Sequence, residues 1–228
     1  MKNILHYGLQ RSGTNFLETL MLKNFDINIV NGSNRAHPLH KHFRLYDNKN
    51  LIPEPKYKNN MKFKHFSDYE KSFNINTPVH GILILSKDPY SWLISYKKWA
   101  KKCKWPEPDY NYIEEYNQFY GKWAEFSKQD NRIMFIRYID LLDNADLILD
   151  KTETEFNLKA KQNKRIEKVK KVKRSKFFTK SKKNYYKNSE YLSEYKQKDL
   201  EDLNSKLNIN LLNFLGYEIK ENPNYKKQ

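Results

Sequence analysis

One cysteine, six glycines and no long apolar run set the first limits on this chain of 228 residues. Cys103 cannot form an internal disulfide on its own, so the fold has to be held by its core, and a reducing compartment suits it. A bilayer-spanning helix needs about 20 predominantly apolar residues, and nothing here approaches that. The chain also enters a strand-like run (Ile4, Leu5) almost at once, so no signal peptide is expected. These features predict a cytoplasmic protein without a transmembrane segment. The length admits one α/β domain with a good core and no second one, so a single domain over residues 1–228 is expected. Acidic residues are scarce as well, 27 against 43 Lys and Arg, for a formal net charge of +16. Much of the excess lies between Lys161 and Lys183, where twelve Lys and Arg stand against Glu167 alone. Such a run reads as a solvated, self-repelling face, as a surface for nucleic acid or anionic lipid, or as a lid over a bound nucleotide. Nucleic acid is the least favoured of these.

Because glycine is scarce, two glycines five apart in one short loop carry weight. Tyr7-Gly8-Leu9-Gln10-Arg11-Ser12-Gly13-Thr14-Asn15 follows a short apolar strand and opens an amphipathic helix (Phe16, Leu17, Leu20, Met21). That arrangement predicts a phosphate cradle, in which backbone N–H groups and a helix N-terminus converge on one anion. A triphosphate-binding loop reads G-x-x-x-x-G-K-[ST], with Lys on the β and γ phosphates and the hydroxyl on magnesium. Here those two positions hold Thr14 and Asn15, and the cation has moved inside the loop, to Arg11. The pattern speaks against ATP or GTP hydrolysis and for a nucleotide with a different 5′ end.

A second motif, Lys87-Asp88-Pro89-Tyr90-Ser91-Trp92-Leu93-Ile94-Ser95-Tyr96, follows the apolar strand Gly81–Ser86. A third, Arg137-Tyr138-Ile139-Asp140-Leu141-Leu142, follows the strand Ile133–Ile136, and the chain nears its end on Leu215-Gly216-Tyr217. In this order, the four segments resemble the sulfotransferases that use 3′-phosphoadenosine 5′-phosphosulfate (PAPS). Ile139 stands where that family usually has Glu, and Lys87 where it more often has Arg. The resemblance covers most of the chain except the stretch from Leu158 to Lys183. It implies a P-loop-NTPase-like three-layer αβα fold with a central parallel sheet and a helical C-terminal part. PAPS is then the donor, 3′-phosphoadenosine 5′-phosphate (PAP) the product, and no metal is required. By the same resemblance Arg11, Ser12, Gly13, Thr14 and Asn15 hold the 5′ phosphate, Lys87 and Ser95 hold the 3′ phosphate, and Phe16 either contacts the adenine or packs in the core. Arg174, in Arg174-Ser175-Lys176, lies in a region comparable to a basic loop that covers the 3′ phosphate.

Sulfuryl transfer resembles loose phosphoryl transfer, so the protein mostly positions groups and neutralises charge. Arg11 is the neutralising candidate. An acceptor hydroxyl needs a base, and two histidines compete for that role, with a carboxylate as a third option. His65 lies in the alternating segment Met61–Phe66, read as a strand reaching the crevice. His42 lies in His40-Lys41-His42-Phe43, about thirty residues beyond the loop. Residues 31–60 are polar with little periodicity and are the expected acceptor-facing region. Acceptor identity stays open, a glycan or small metabolite being preferred, and an acidic glycan would suit the basic segment.

Plainer roles fit several of these residues. His37, His40 and His42 have zinc-like spacing, but Pro38 interrupts any helix that would align them, and no Cys or nearby carboxylate completes a set. Asp88 and Pro89 suit the N-cap and first position of a helix. Arg137 and Asp140 suit a strand end. The stripe Ile113, Tyr116, Phe119, Tyr120, Trp123 and Phe126 recurs at helical spacing and is expected to be core. Three alternatives to the sulfotransferase stay open: a P-loop kinase or NTPase, a non-enzymatic nucleic-acid binder, and a relative that binds nucleotide without turnover.

Overall fold

The computed structural model describes residues 1–45, 63–108, 110–161 and 180–221. Four parallel strands, β1 (Lys2–Tyr7), β2 (Ile27–Ile29), β3 (Gly81–Ser86) and β4 (Ile133–Arg137), form one sheet in the order β2-β1-β3-β4. Ile4 through Tyr7 pair with Gly81 through Ile84, and Ile82 through Ser86 pair with Ile133 through Arg137. The run Gly-Ile-Leu-Ile-Leu-Ser of β3 is buried throughout, as a central parallel strand covered on both faces demands.

Alternation along the strands sorts side chains into two cores. Ile4, Leu83, Leu85 and Ile136 pack on one face against α1 (Thr14–Asn24) and, later in the chain, α5 (Tyr138–Asp143) and α6 (Ala145–Phe156). Leu5, Tyr7, Ile82 and Ile84 pack on the other face against α2 (Phe66–Lys71), α3 (Pro89–Lys102), α4 (Tyr112–Ser127), α8 (Gln197–Lys206) and α9 (Ile209–Leu215). The protein is therefore α/β, with helices on both faces of a parallel sheet, as expected from the sequence. The aromatic stripe of α4 is core, since all six of its residues are fully buried. No helix among the described residues is long and apolar enough to cross a membrane.

Two elements depart from the sequence-based expectation. β2 is too short to show a period and is recognised only through its pairing with Lys2 to Ile4. The segment around His65 is not a strand: Phe66–Lys71 is the helix α2. Phe66 and Tyr69, three apart on the helix, are buried with the flanking Phe63 and Phe73 beside Trp123 and Phe126.

The sheet order locates the crevice. From β1 the chain crosses to β2 on one side and returns to β3 on the other, so the loops after β1 and β3 diverge and leave a cleft between neighbouring strand ends.

Candidate functional site

The loop after β1 is shaped by its two glycines. A Cβ on Gly8 would sit 2.6 Å from Ser12 Oγ and 2.7 Å from the Leu85 carbonyl oxygen. Gly13, the N-cap of α1, has φ 103°, and a Cβ there would meet the Tyr138 ring at 2.6 Å. Between them the loop closes through Ser12 N–H donating to Leu9 O (3.1 Å), and α1 begins with Phe16 N–H donating to Gly13 O (2.8 Å). Arg11, at the tip, takes a left-handed φ of 74° and keeps its side chain exposed. Ser12 and Thr14 are buried, while the Asn15 side chain accepts from Lys41 Nζ at 2.6 Å. Phe16 is half-buried, edge-on to Tyr138.

A second cation stands at the end of the neighbouring strand. Lys87 is buried, and its Nζ donates to Ser95 Oγ (3.0 Å) and the Tyr186 hydroxyl (3.4 Å). Its ammonium also lies over the rings of Tyr186 (4.4 Å) and Tyr138 (5.5 Å). Tyr186 comes from α7 (Lys180–Lys187). Burial, with some repulsion from Arg11, pushes the Lys87 ammonium down to about 7. Among the described residues no carboxylate forms an ion pair with it. Its neighbour Asp88 caps α3, accepting from Tyr90 N–H and Ser91 N–H (both 3.1 Å) ahead of Pro89. A cavity of about 320 Å³ opens from Lys87 between Tyr138, Tyr186 and Gly216. The structure thus brings Lys87, in the turn after β3, and Ser95, within α3, together beside the loop after β1.

The polar segment after β2 wraps the cradle. Gly8 N–H donates to Lys41 O (3.1 Å), and His42 Nδ1 lies 2.6 Å from Gly8 O. A carbonyl only accepts, so Nδ1 carries the proton and Nε2 is left as the basic nitrogen of a neutral ring. Burial holds His42 well below the usual imidazole range, against the pull of the Gly8 carbonyl. His40, two residues earlier, is pushed down to about 4, chiefly by burial and then by Arg35. The His37 and His40 Nδ1 atoms accept from the backbone N–H groups of Leu39 and His42, so the spacing that suggested zinc serves local turns. Beneath this segment, the fully buried Arg44 pairs with the fully buried Glu115 of α4. Arg44 also donates to His42 O (2.5 Å) and Gln10 Oε1 (2.8 Å), while Tyr96 of α3 donates to the other Glu115 oxygen (3.0 Å). Trp92 Nε1 fixes the Gln10 carbonyl at 2.9 Å.

His65 is not brought to the crevice. It is exposed and precedes α2, where Phe66 N–H donates to Gln129 Oε1 in the turn that leads into β4, at the opposite end of the sheet. Arg174 and residues 46–60 lie outside the described residues. Arg137 and Asp140 form a two-point ion pair (both 2.8 Å) that also ties Arg137 to Gly216 O, a structural role. Sequence reasoning missed Tyr138 and Tyr186 beside Lys87, Lys41 on Asn15, and the Arg44–Glu115 pair. A tyrosine directly after the β4 arginine was the available signal for Tyr138; the others depend on contacts distant in sequence. Set against family models the sequence matches none, and no curated protein matches it.

Proposed function

We propose that the chain is a PAPS-dependent sulfotransferase, passing a sulfuryl group to an acceptor hydroxyl of a glycan or small metabolite. The observation that carries this reading is Lys87, a buried ammonium beside the cradle, held by hydroxyls and ring faces and in no ion pair among the described residues. Such a group gains most from an incoming anion. A nucleotide with anionic groups at both its 5′ and 3′ ends matches the loop after β1 and Lys87–Ser95 after β3. Thr14 and Asn15, in place of Lys and Ser/Thr, leave out the groups a triphosphate-cleaving loop depends on.

In the reaction, the bond from sulfur to the 5′-phosphate oxygen breaks and a bond from sulfur to the acceptor oxygen forms. Arg11 and the loop N–H groups neutralise charge growing on the leaving phosphate. His42, its proton fixed on Nδ1 by Gly8 O, takes the acceptor proton at Nε2. A cytoplasmic location belongs to this reading through the lone Cys103, which suits a reducing compartment.

Calorimetric titration of PAP beside ATP with magnesium tests it. Micromolar PAP binding with much weaker ATP binding is expected. ATP binding as well as PAP, or no PAP binding, would overturn the proposal in favour of a P-loop kinase or a nucleic-acid-binding role.

A further inference from the structure

Arg11 has no ion pair among the described residues; what holds it is a ring. Its guanidinium lies over the indole of Trp99, 5.0 Å from the ring centroid. Trp99 is half-buried on α3, one turn beyond Ser95, and residues four apart share a helix face. The same face of α3 therefore touches both site cations, Ser95 holding Lys87 and Trp99 holding Arg11. The loop on either side of Arg11 is fixed by Trp92 on the Gln10 carbonyl and by Ser12 N–H on Leu9 O, which leaves the side chain as the part to be oriented.

The chemistry of the holder matters. A carboxylate in the place of Trp99 would occupy the guanidinium's N–H donors and repel an incoming phosphate. An indole attracts the cation through its face and carries no charge, while the donors of a guanidinium lie in its plane. A cation held over a ring face keeps its N–H donors for an anion. A side chain so held loses less freedom when an anion arrives.

We infer that Trp99 is a positioning residue, which preorganises Arg11 for the anion bound in the loop. The inference rests on the assignment of Arg11 to the 5′ anion made above. It gives an exposed arginine a defined approach to the cradle, on a half-buried ring that the Lys102 ammonium also approaches, 5.7 Å from the centroid.

The test is calorimetric binding of inorganic pyrophosphate, and separately of PAP and adenosine 5′-monophosphate, to the full chain. Trp99→Leu keeps apolar volume and removes the π face; Trp99→Phe keeps a face. Trp99→Leu is expected to weaken pyrophosphate binding about threefold to fivefold, the size of an exposed cation–π contact, with Trp99→Phe close to wild type. In an Arg11→Ala background Trp99→Leu should change nothing further. Wild-type affinity in Trp99→Leu, an equal loss in Trp99→Phe, or the same loss without Arg11 would overturn the inference. If pyrophosphate follows the expected pattern but PAP binds no better than adenosine 5′-monophosphate, the donor assignment fails and the role of Trp99 stands. If PAP binds tightly and Trp99→Leu is silent, the reverse holds. Binding of none of the three would remove both.

Discussion

At Lys87, burial and ligand binding pull the proton in opposite directions. With its ammonium pushed down to about 7 in the folded protein, the unfolded chain holds the extra proton between that value and the ordinary lysine range. Lys87 therefore weakens the unliganded fold below about pH 7, and this penalty is relieved as pH rises toward the ordinary lysine value. A bound phosphate restores the charged form, so PAP binding at pH 8 should take up a proton. Titrations in buffers of different ionisation enthalpy should then give different observed enthalpies, and Lys87→Arg, whose charge is permanent, should abolish the difference. Identical enthalpies in all buffers would remove Lys87 from the anion site. At His42 burial acts both ways, because an imidazole held well below its usual range stays neutral across physiological pH and is also a weaker base. Its removal in His42→Ala should lower turnover about a hundredfold or more with PAP affinity preserved, while His65→Ala should leave turnover unchanged. The rate should also stay flat from pH 8 down past the usual imidazole value. An acid limb near pH 6.5 would point to a different base.

Elements inherit their positions from contacts of two kinds, and only one kind is legible in sequence. The tight turn after β1, the Asp88–Pro89 cap and the α4 stripe depend on neighbours within a few residues, so glycine spacing, cap chemistry and a helical period reveal them. His65 and α2 show the limit: Phe66 and Tyr69 are buried on a short helix, while the alternating Met61–Phe66 points to a strand. The support under the site is illegible for a different reason. Arg44 and Glu115 are 71 apart in the chain, and nothing local marks either as a partner. Burial raises the Glu115 carboxyl, and only Arg44 and Tyr96 oppose that. Glu115→Gln leaves a buried guanidinium without its counter-charge, which costs about 3–5 kcal/mol. Since Arg44 reaches both Gln10 and His42, the same change should loosen the loop after β1 and the His42 segment together. A thermal melt should show a fall of roughly 10 °C, at about 2–4 °C per kcal/mol for a chain of this size. A melting temperature within a degree or two of wild type would mean that α4 and the His42 segment do not depend on this pair.

The whole molecule carries its charge against itself. A formal +16 on 228 residues disfavours the compact state through repulsion, and at the crevice Arg11 adds to the burial that disfavours the charged form of Lys87. Salt should therefore act oppositely on the free and liganded proteins. Without ligand, raising sodium chloride screens the repulsion, and the melting temperature should rise. With PAP at about 100 times its dissociation constant, binding adds about 2.7 kcal/mol at low salt, roughly 5–10 °C for a domain of this length. That increment should shrink as salt weakens the attraction of the phosphates to Arg11, Lys87 and the basic surface. Melting curves with and without a fixed PAP concentration should converge as salt increases. A PAP increment independent of salt would mean that nucleotide is held mainly by apolar and hydrogen-bonding contacts, with the two cations incidental. A free-protein melting temperature that falls with salt would show instead that the surplus lysines are compensated by surface ion pairs such as Lys98–Glu194 and Lys187–Asp143, leaving little self-repulsion for an anionic ligand to relieve.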